Sequence, residues 1–324
     1  MKLVSFEREG RERLGAVVGA KLDVVLDLPD AGRDAGLDVP FDVISFLQQG
    51  ERALDAGREI LARVDLSAPW CHSLSEVRLL APVPRPPSMR DAYAFRQHVE
   101  TSRRNRGLPM IPEFDEFPVF YFTNHQAVFG PGRVPVRARH LGKLDFELEC
   151  AMVVGKGGKN LAAEKADAHV AGLMIMNDLS ARDLQMQEMK LSLGPAKGKD
   201  FATVLGPWLV TLDELQDKVL GSPQGDRYDL AMKAEVNGVQ VSSDNLSNMS
   251  WTFAQILERV SYGVEVFPGD VIGSGTCGTG CFLELNGSGI TKDQWLRSGD
   301  EVALRIDGLG TLETKIVLEE ADRE

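Results

Sequence analysis

Cysteine is scarce in this chain of 324 residues, with four in all, at Cys71, Cys150, Cys277 and Cys281. None forms a C-x-x-C pair, and nothing in their spacing points to an oxidising compartment, so free thiols are expected. Cys150 sits in an apolar stretch and reads as a small core residue. Long apolar runs are missing too: no stretch approaches the roughly 18 residues that a membrane span needs. Positive charge is outweighed, 36 Lys and Arg against 48 Asp and Glu, for a net charge of −12. That balance argues against a general affinity for nucleic-acid phosphates and suits an enzyme of small molecules equally well. There is no internal repeat and no low-complexity tract. The N-terminal MKLVSFEREG meets acidic charge too early to read as a secretory signal, so a cytoplasmic location is expected.

What is present is ordinary globular material, 43% hydrophobic and 26% charged, in a length that suits one large domain plus a smaller one. LVSF, LGAVVG and LDVVLDL read as short strands separated by turns. From Asp42 to Val64 a helical stripe follows, with Leu47, Leu54 and Leu61 in phase and Gly50 and Gly57 as interruptions. The proline-rich APVPRPPSM, 81–89, can continue neither a helix nor a central strand. It marks the expected boundary between a small N-terminal β-rich domain, 1–80, and a main domain, 81–322.

Strands dominate the main domain. They are expected at 144–155, 172–178, 208–212, 230–238, 270–275, 281–287, 301–306 and 311–319, with helices at 181–190 and 252–260. Asn237-Gly238 and Asp307-Gly308 are hairpin turns, since these pairs tolerate positive φ. Strands joined by such turns, without regular β-α alternation, imply a fold that is mainly β with some α: an antiparallel sandwich or roll.

The chemistry is carried by carboxylates. In LDFELEC, a side-chain period of two puts Asp145, Glu147 and Glu149 on one face. A solvated acidic face is the ordinary explanation of such a strand. Here, however, the strand runs straight into AMVVG, apolar on both faces, so it heads into the interior, where three carboxylates repel unless compensated. A further acid, Asp178, ends the apolar GLMIMND, where a helix cap would also explain it. Clustered oxygens without cysteine or grouped histidine suit a hard cation such as Mg²⁺, Ca²⁺ or Mn²⁺.

Five ordered motifs resemble the fumarylacetoacetate hydrolase family: DAYAFRQH (91–98), LDFELE (144–149), MNDLSARDLQ (176–185), LGPAKGKDFATVLGPW (193–208) and SGTCGTGCFLEL (274–285). The likeness covers roughly residues 82–320. It implies a mixed β-sandwich roll with a small N-terminal β-rich domain, and a homodimer. It implies Asp91, Glu147, Glu149 and Asp178 as ligands of a divalent metal, Mg²⁺ or Ca²⁺ with Mn²⁺ also suitable. It makes His98 the base that activates water and Glu284 the carboxylate that orients it. Arg182, Gln185 and Lys199 match groups that stabilise an oxyanion, and Tyr93, Tyr121 and Thr276 match substrate contacts. Thr203 matches a residue beside a structural cation, while Asp145 matches a position that is not a ligand. Surface or core packing is the ordinary role of each of these residue types.

The chemistry so implied is coherent. A 1,3-dicarbonyl can chelate a metal, an imidazole can take a proton from water, and Lys and Arg suit the resulting oxyanion. The expected activity is hydrolysis of a carbon–carbon bond in a diketo acid, an acylpyruvate for example. The alternative is a decarboxylase or keto–enol tautomerase of oxaloacetate-like acids, a branch that uses a lid His–Glu pair at H-x-x-E spacing. Glu100 stands two residues after His98, and Glu284 is present, which favours hydrolysis. A catalytically silent metal-binding regulatory protein is the alternative of another class.

Two positions depart from the family's true fumarylacetoacetases: Leu179 where a Trp follows the aspartate, and Met189 where a substrate-contacting Tyr stands. They put the substrate in doubt. Arg103, Arg104 and Arg106 follow His98 and suggest a lid whose arginines, Arg106 above all, hold a substrate carboxylate. Gly273, Gly275 and Gly278 match G-x-G-x-x-G formally, but a strand is expected after them, which sets aside a dinucleotide site. Cys277 has no basic neighbour in sequence to make it a nucleophile. GKGGKN, 155–160, reads as a turn.

Overall fold

Every residue of the strand Leu148–Val154 is buried, because its two faces feed two separate cores. In the computed structural model, which describes residues 1–319, Leu148, Cys150, Met152 and Val154 enter one hydrophobic cluster. Ala151 and Val153 enter another. The alternation of side chains along a strand produces that split. Val170–Asp178 divides likewise, Leu173 and Ile175 into the first core and Met174 and Met176 into the second. In Thr203–Thr211, Val204 and Val210 oppose Leu205 and Leu209 in the same way.

These strands are the middle of a 12-stranded sheet. Its main path runs Cys71–Ser73, Val24–Asp27, Arg11–Val18, Lys2–Arg8, Thr203–Thr211, Val170–Asp178, Leu148–Val154, Val271–Gly273, Met89–Ala92 and Phe120–Phe122. Along it only Val271–Gly273 and Met89–Ala92 pair in parallel. A second sheet of five strands runs Val239–Asn245, Ala231–Val236, Glu301–Ile306, Gly310–Leu318 and Gly132–Val136. Its Met232, Ala234, Leu304 and Leu312 close the first core. The expected sandwich is therefore present, and its Asn237-Gly238 hairpin has φ of 52° and 75°.

On the other face, the second core seats the helices Leu28–Ala35, Val43–Gln48 and Glu51–Ala62 through Leu28, Phe46, Leu47 and Ile60. The helical stripe of residues 42–64 is two helices, because Gly50 takes φ 60° between them, a conformation that favours glycine. Gly57 stays helical, packed on Met1 and Phe46. The helix Leu28–Ala35 buries Leu28, Ala31 and Gly32 on one face. Asp27 caps it by accepting from Asp30 N, and Pro29 lies in its first turn.

The proline-rich boundary falls between Arg78–Leu79 and Met89–Ala92. Across it Lys2 and Leu3 pair with Val210 and Leu209, so the N-terminal strands extend the sheet of the main region. Residues 320–322 of that region lie outside the described residues. No described helix is long and apolar enough to cross a membrane, and the four cysteines are free.

One expected strand is a helix. CFLELNG forms Phe282–Gly287, with Phe282 and Leu285 buried at i,i+3 spacing. Over so few residues the apolar pattern of one helical turn imitates strand alternation.

Candidate metal centre and acid–base pair

Three carboxylates converge because neighbouring strands share one side-chain phase. Glu149 follows the alternation of Ala151 and Val153, Asp178 that of Met174 and Met176, and Asp91 that of Met89. The pairings Glu149↔Met176 and Asp91↔Gly273 bring them level. Oxygens of Asp91, Glu149 and Asp178 lie within 4.8 Å of one another, and the residues are 3%, 0% and 0% exposed.

The intervening strand leaves room only because it ends in glycine. A Cβ on Gly273 would stand 2.4 Å from Asp91 Oδ1, and Gly275 N donates to that oxygen at 3.1 Å. The glycine run therefore serves Asp91. Since a helix rather than a strand follows it, an expected strand is not the reason to set aside a dinucleotide fingerprint. The better reason is steric: Gly273 packs on Asp91 and Gly278 on Gln97, where a phosphate cradle would have to open.

Crowding shifts the three acids in one direction. Burial and then the charge of Asp178 push Asp91 up to about 7. Burial, Asp91, Glu147 and Asp178 push Glu149 well above the carboxylate range. Burial also raises Asp178, against the pull of Lys199. Among the described residues, Glu149 Oε2 and Asp178 Oδ1 are buried without a hydrogen-bond partner. Oxygens that repel one another and lack donors are what a hard divalent cation satisfies, so the residues fit Mg²⁺, Ca²⁺ or Mn²⁺.

The fourth carboxylate is held differently. Lys199 Nζ donates to Glu147 Oε2, and Arg182 Nη2 donates to Oε1 at 2.8 Å. Burial would raise Glu147, but Lys199 and Arg182 outweigh it and hold the acid at about 2. Glu147 is thus engaged by two cations, one of which, Lys199, also donates to Asp178, and its charge acts on all three other acids. Asp145 does not continue the alternation of Glu149, because the strand is interrupted at Phe146 and Glu147. It accepts from Arg182 Nε at 2.9 Å and from Phe282 N and Leu283 N at 2.7 and 2.9 Å. Asp145 thereby pins the start of the helix Phe282–Gly287.

That helix carries Glu284, and the helix Arg96–Arg104 carries His98. His98 Nδ1 meets Glu284 Oε2 at 2.7 Å, with side chains 7% and 1% exposed. A proton on Nδ1 donated to the carboxylate leaves Nε2 as the basic nitrogen. The Tyr93 ring stands edge-on to the imidazole at 5.7 Å. Glu284 Oε1 is buried and has no hydrogen-bond partner among the described residues. Glu100 is exposed.

The remaining candidates gather around these two centres. Tyr121 Oη donates to Asp178 Oδ2 at 2.6 Å, Lys199 Nζ donates to the same oxygen at 2.8 Å, and Thr276 Oγ1 donates to Glu149 Oε1 at 3.2 Å. Arg182 Nη1 donates to Gln185 Oε1 at 3.0 Å. Tyr121 and Thr276 therefore orient carboxylates of the trio in this structure. Arg106 is exposed and donates from Nε to Ser102 O at 2.9 Å. Its charge reaches the Tyr93 hydroxyl, which burial nonetheless pushes up to about 12. Thr203 is buried beside Asp178 in the sheet.

A family model described as fumarylacetoacetate hydrolase C-terminal matches residues 88–317. The chain belongs to the fumarylacetoacetate hydrolase family. It is 33% identical over 283 residues to human oxaloacetate tautomerase FAHD2B, mitochondrial, across 86% of this chain and 81% of that protein. To oxaloacetate tautomerase YisK of Bacillus subtilis strain 168 it is 30% identical over 285 residues, covering 86% and 87%. Among solved structures, a fumarylacetoacetate hydrolase from psychrophilic Exiguobacterium antarcticum matches with TM-score 0.72 and 26% identity, over 98% of this chain and 100% of that one. Hydrolases and tautomerases thus stand together in this family.

Against the family's fumarylacetoacetases, the two departures fall in different places. Leu179 is fully buried in the first core, whereas Met189 is 48% exposed on the helix Arg182–Met189. One residue at the site has no counterpart among the sequence-based candidates. Cys281 Sγ lies within 4.8 Å of ligand atoms of both His98 and Glu284. Its three-residue offset from Glu284 signals a shared helix face, and a strand over 281–287 conceals it.

Proposed function

We propose that this protein is a divalent-metal-dependent hydrolase that cleaves a carbon–carbon bond in a 1,3-diketone or acylpyruvate-like acid. The buried His98–Glu284 pair beside the carboxylate trio carries the reading. His98 Nε2 takes a proton from water while Glu284 Oε2 holds the Nδ1 proton and so fixes the tautomer. The second oxygen, Oε1, is a buried acceptor with which to orient that water. The hydroxide equivalent adds to the carbonyl carbon, and remaining N–H groups of Lys199 and Arg182 supply positive charge to the oxyanion. The carbon–carbon bond then breaks with its electron pair on the departing carbon, which takes the proton from His98. The products are a carboxylic acid and a 2-oxo acid.

Asp91, Glu149 and Asp178, oriented by Gly275 N, Thr276 and Tyr121, would hold the metal, with Glu147 as the fourth carboxylate. When bound there, Mg²⁺, Ca²⁺ or Mn²⁺ supplies Lewis acidity toward the two substrate oxygens. Arg106, exposed just after the helix Arg96–Arg104, would supply the cation for a substrate carboxylate.

The names of the two tautomerase relatives favour a second reading, keto–enol tautomerisation of an oxaloacetate-type acid. There the same imidazole would move a proton between carbon and oxygen without attack by water. Hydrolysis is preferred because His98 pairs with Glu284 rather than with a glutamate of its own lid helix. The discriminating assay incubates the metal-loaded protein separately with an acylpyruvate and with oxaloacetate and identifies products by mass spectrometry. Cleavage of the acylpyruvate to two acids is expected. Enol–keto interconversion of oxaloacetate, with the acylpyruvate intact, would replace the hydrolase reading by the tautomerase one.

A further inference from the structure

His98, Cys281 and Glu284 offer an imidazole nitrogen, a thiol sulfur and a carboxylate oxygen, all within 4.8 Å of one another. All three residues are buried. Glu284, 1% exposed, spends Oε2 on His98 and leaves Oε1 without a hydrogen-bond partner among the described residues. Arg182, whose charge acts on Cys281, is matched by two anions, Asp145 and Glu147, at 2.9 and 2.8 Å. Nothing in the hydrolytic scheme uses the Cys281 sulfur.

A mixed nitrogen, sulfur and oxygen donor set belongs to a different class of metal from the trio of Asp91, Glu149 and Asp178. Oxygen-only ligands select Mg²⁺, Ca²⁺ and Mn²⁺, whereas thiolate and imidazole select zinc and its congeners. We propose that His98, Cys281 and Glu284 form a second, thiophilic cation site that takes Zn²⁺ or Cd²⁺. Binding replaces the His98–Glu284 hydrogen bond with bonds to the ion: the Nδ1 proton passes through solvent to Nε2, freeing Nδ1 as a ligand, and the Cys281 thiol gives up its proton to solvent as its sulfur becomes a ligand. With the imidazole lone pair so engaged, His98 can no longer accept a proton. Zinc at this site therefore switches the enzyme off while the trio keeps its own metal. The inhibitory half of this inference rests on His98 being the base; the binding half does not.

The two halves are tested separately on the full chain loaded with Mg²⁺. Titration with Co²⁺, a spectroscopic stand-in for Zn²⁺, is expected to produce a thiolate-to-metal charge-transfer band that saturates at one equivalent. Cys281→Ser should lose the band, and Cys71→Ser, which alters the half-buried surface thiol, should keep it. If Cys281→Ser does not fold, Cys281→Ala serves as the second variant. A band that persists in the Cys281 variants, or no band in the wild type, overturns the site. In the activity assay, Zn²⁺ should inhibit the wild type without relief by excess Mg²⁺. Cys281→Ser should move the inhibition midpoint by more than about 10-fold toward higher zinc. Equal inhibition of both proteins, or full relief by Mg²⁺, would assign the effect to the trio and overturn the switch. If the acylpyruvate is not cleaved at all, the switch falls with the hydrolase reading, and the Co²⁺ band alone decides the site.

Discussion

Replacing His98 by alanine is expected to lower kcat for acylpyruvate cleavage by about 10²–10⁴-fold, the usual contribution of a positioned acid–base group. Metal binding should persist, because His98 contacts Glu284 and Tyr93 rather than any of Asp91, Glu149 and Asp178. The variant also strands Glu284, whose two oxygens would both be buried without a donor. A stability loss of about 1–3 kcal/mol accompanies that change. Glu284→Gln separates the two effects: it keeps an oxygen to accept from Nδ1 but removes the charge that stabilises the imidazolium. Steady-state kcat on both variants, together with metal content after dialysis, makes the measurement. Loss of metal from His98→Ala, or wild-type turnover by it, would contradict the division of labour between base and metal centre.

The second large effect concerns metal and pH together. Asp91, Glu149 and Asp178 are all shifted upward in the metal-free fold, Asp91 to about 7. A raised acid holds its proton in the native state at pH values where the unfolded chain has released it. The native state then binds more protons, and the slope of stability with pH is negative. The metal-free protein should therefore lose stability as pH climbs from the ordinary carboxylate range through about 7. Glu147, held at about 2, works oppositely, its contribution being lost as pH falls from the ordinary carboxylate range through about 2. A divalent cation takes the place of the protons, so its benefit should grow over the same interval. With metal at about 100 times its Kd the gain is about 2.7 kcal/mol, which at this chain length raises Tm by roughly 5 °C. Melting curves at pH 5 and pH 8, with and without Mn²⁺, are the check. The metal-induced rise should be larger at pH 8, and an equal rise at both values would remove proton–metal competition at the trio.

Where local pattern and fold coincide, the site is legible in the chain itself. Glu149 lies at the start of one apolar strand and Asp178 at the end of another, and alternation alone places both on the face of the second core. Asp91 can be joined to them only through a motif, since a parallel pairing with Gly273, a partner far along the chain, sets its position. The grouping of Asp145 with Glu147 and Glu149 fails at a single break in the strand, which alternation cannot detect. Glu147, the fourth ligand that the motif implies, meets Lys199 across 52 residues, a contact that no local pattern signals. Glu284 is identifiable from its motif but not its helix, because Leu283 and Leu285 flank it with a strand's alternation while Phe282 and Leu285 give the helical spacing. The same ambiguity hides Cys281, and with it the thiophilic site. The division of the 42–64 stripe at Gly50 follows the one signal that the glycines offer.

Water activated by His98 should leave its oxygen in the product. An acylpyruvate incubated with the Mn²⁺-loaded protein in ¹⁸O-labelled water and analysed promptly by mass spectrometry reads that oxygen. Hydrolysis predicts two fragments, with label gained in the carboxylate of the acid released from the acyl side. Recovery of the intact acylpyruvate, while the same sample interconverts the enol and keto forms of oxaloacetate, would contradict it and assign the His98–Glu284 pair to proton transfer at carbon.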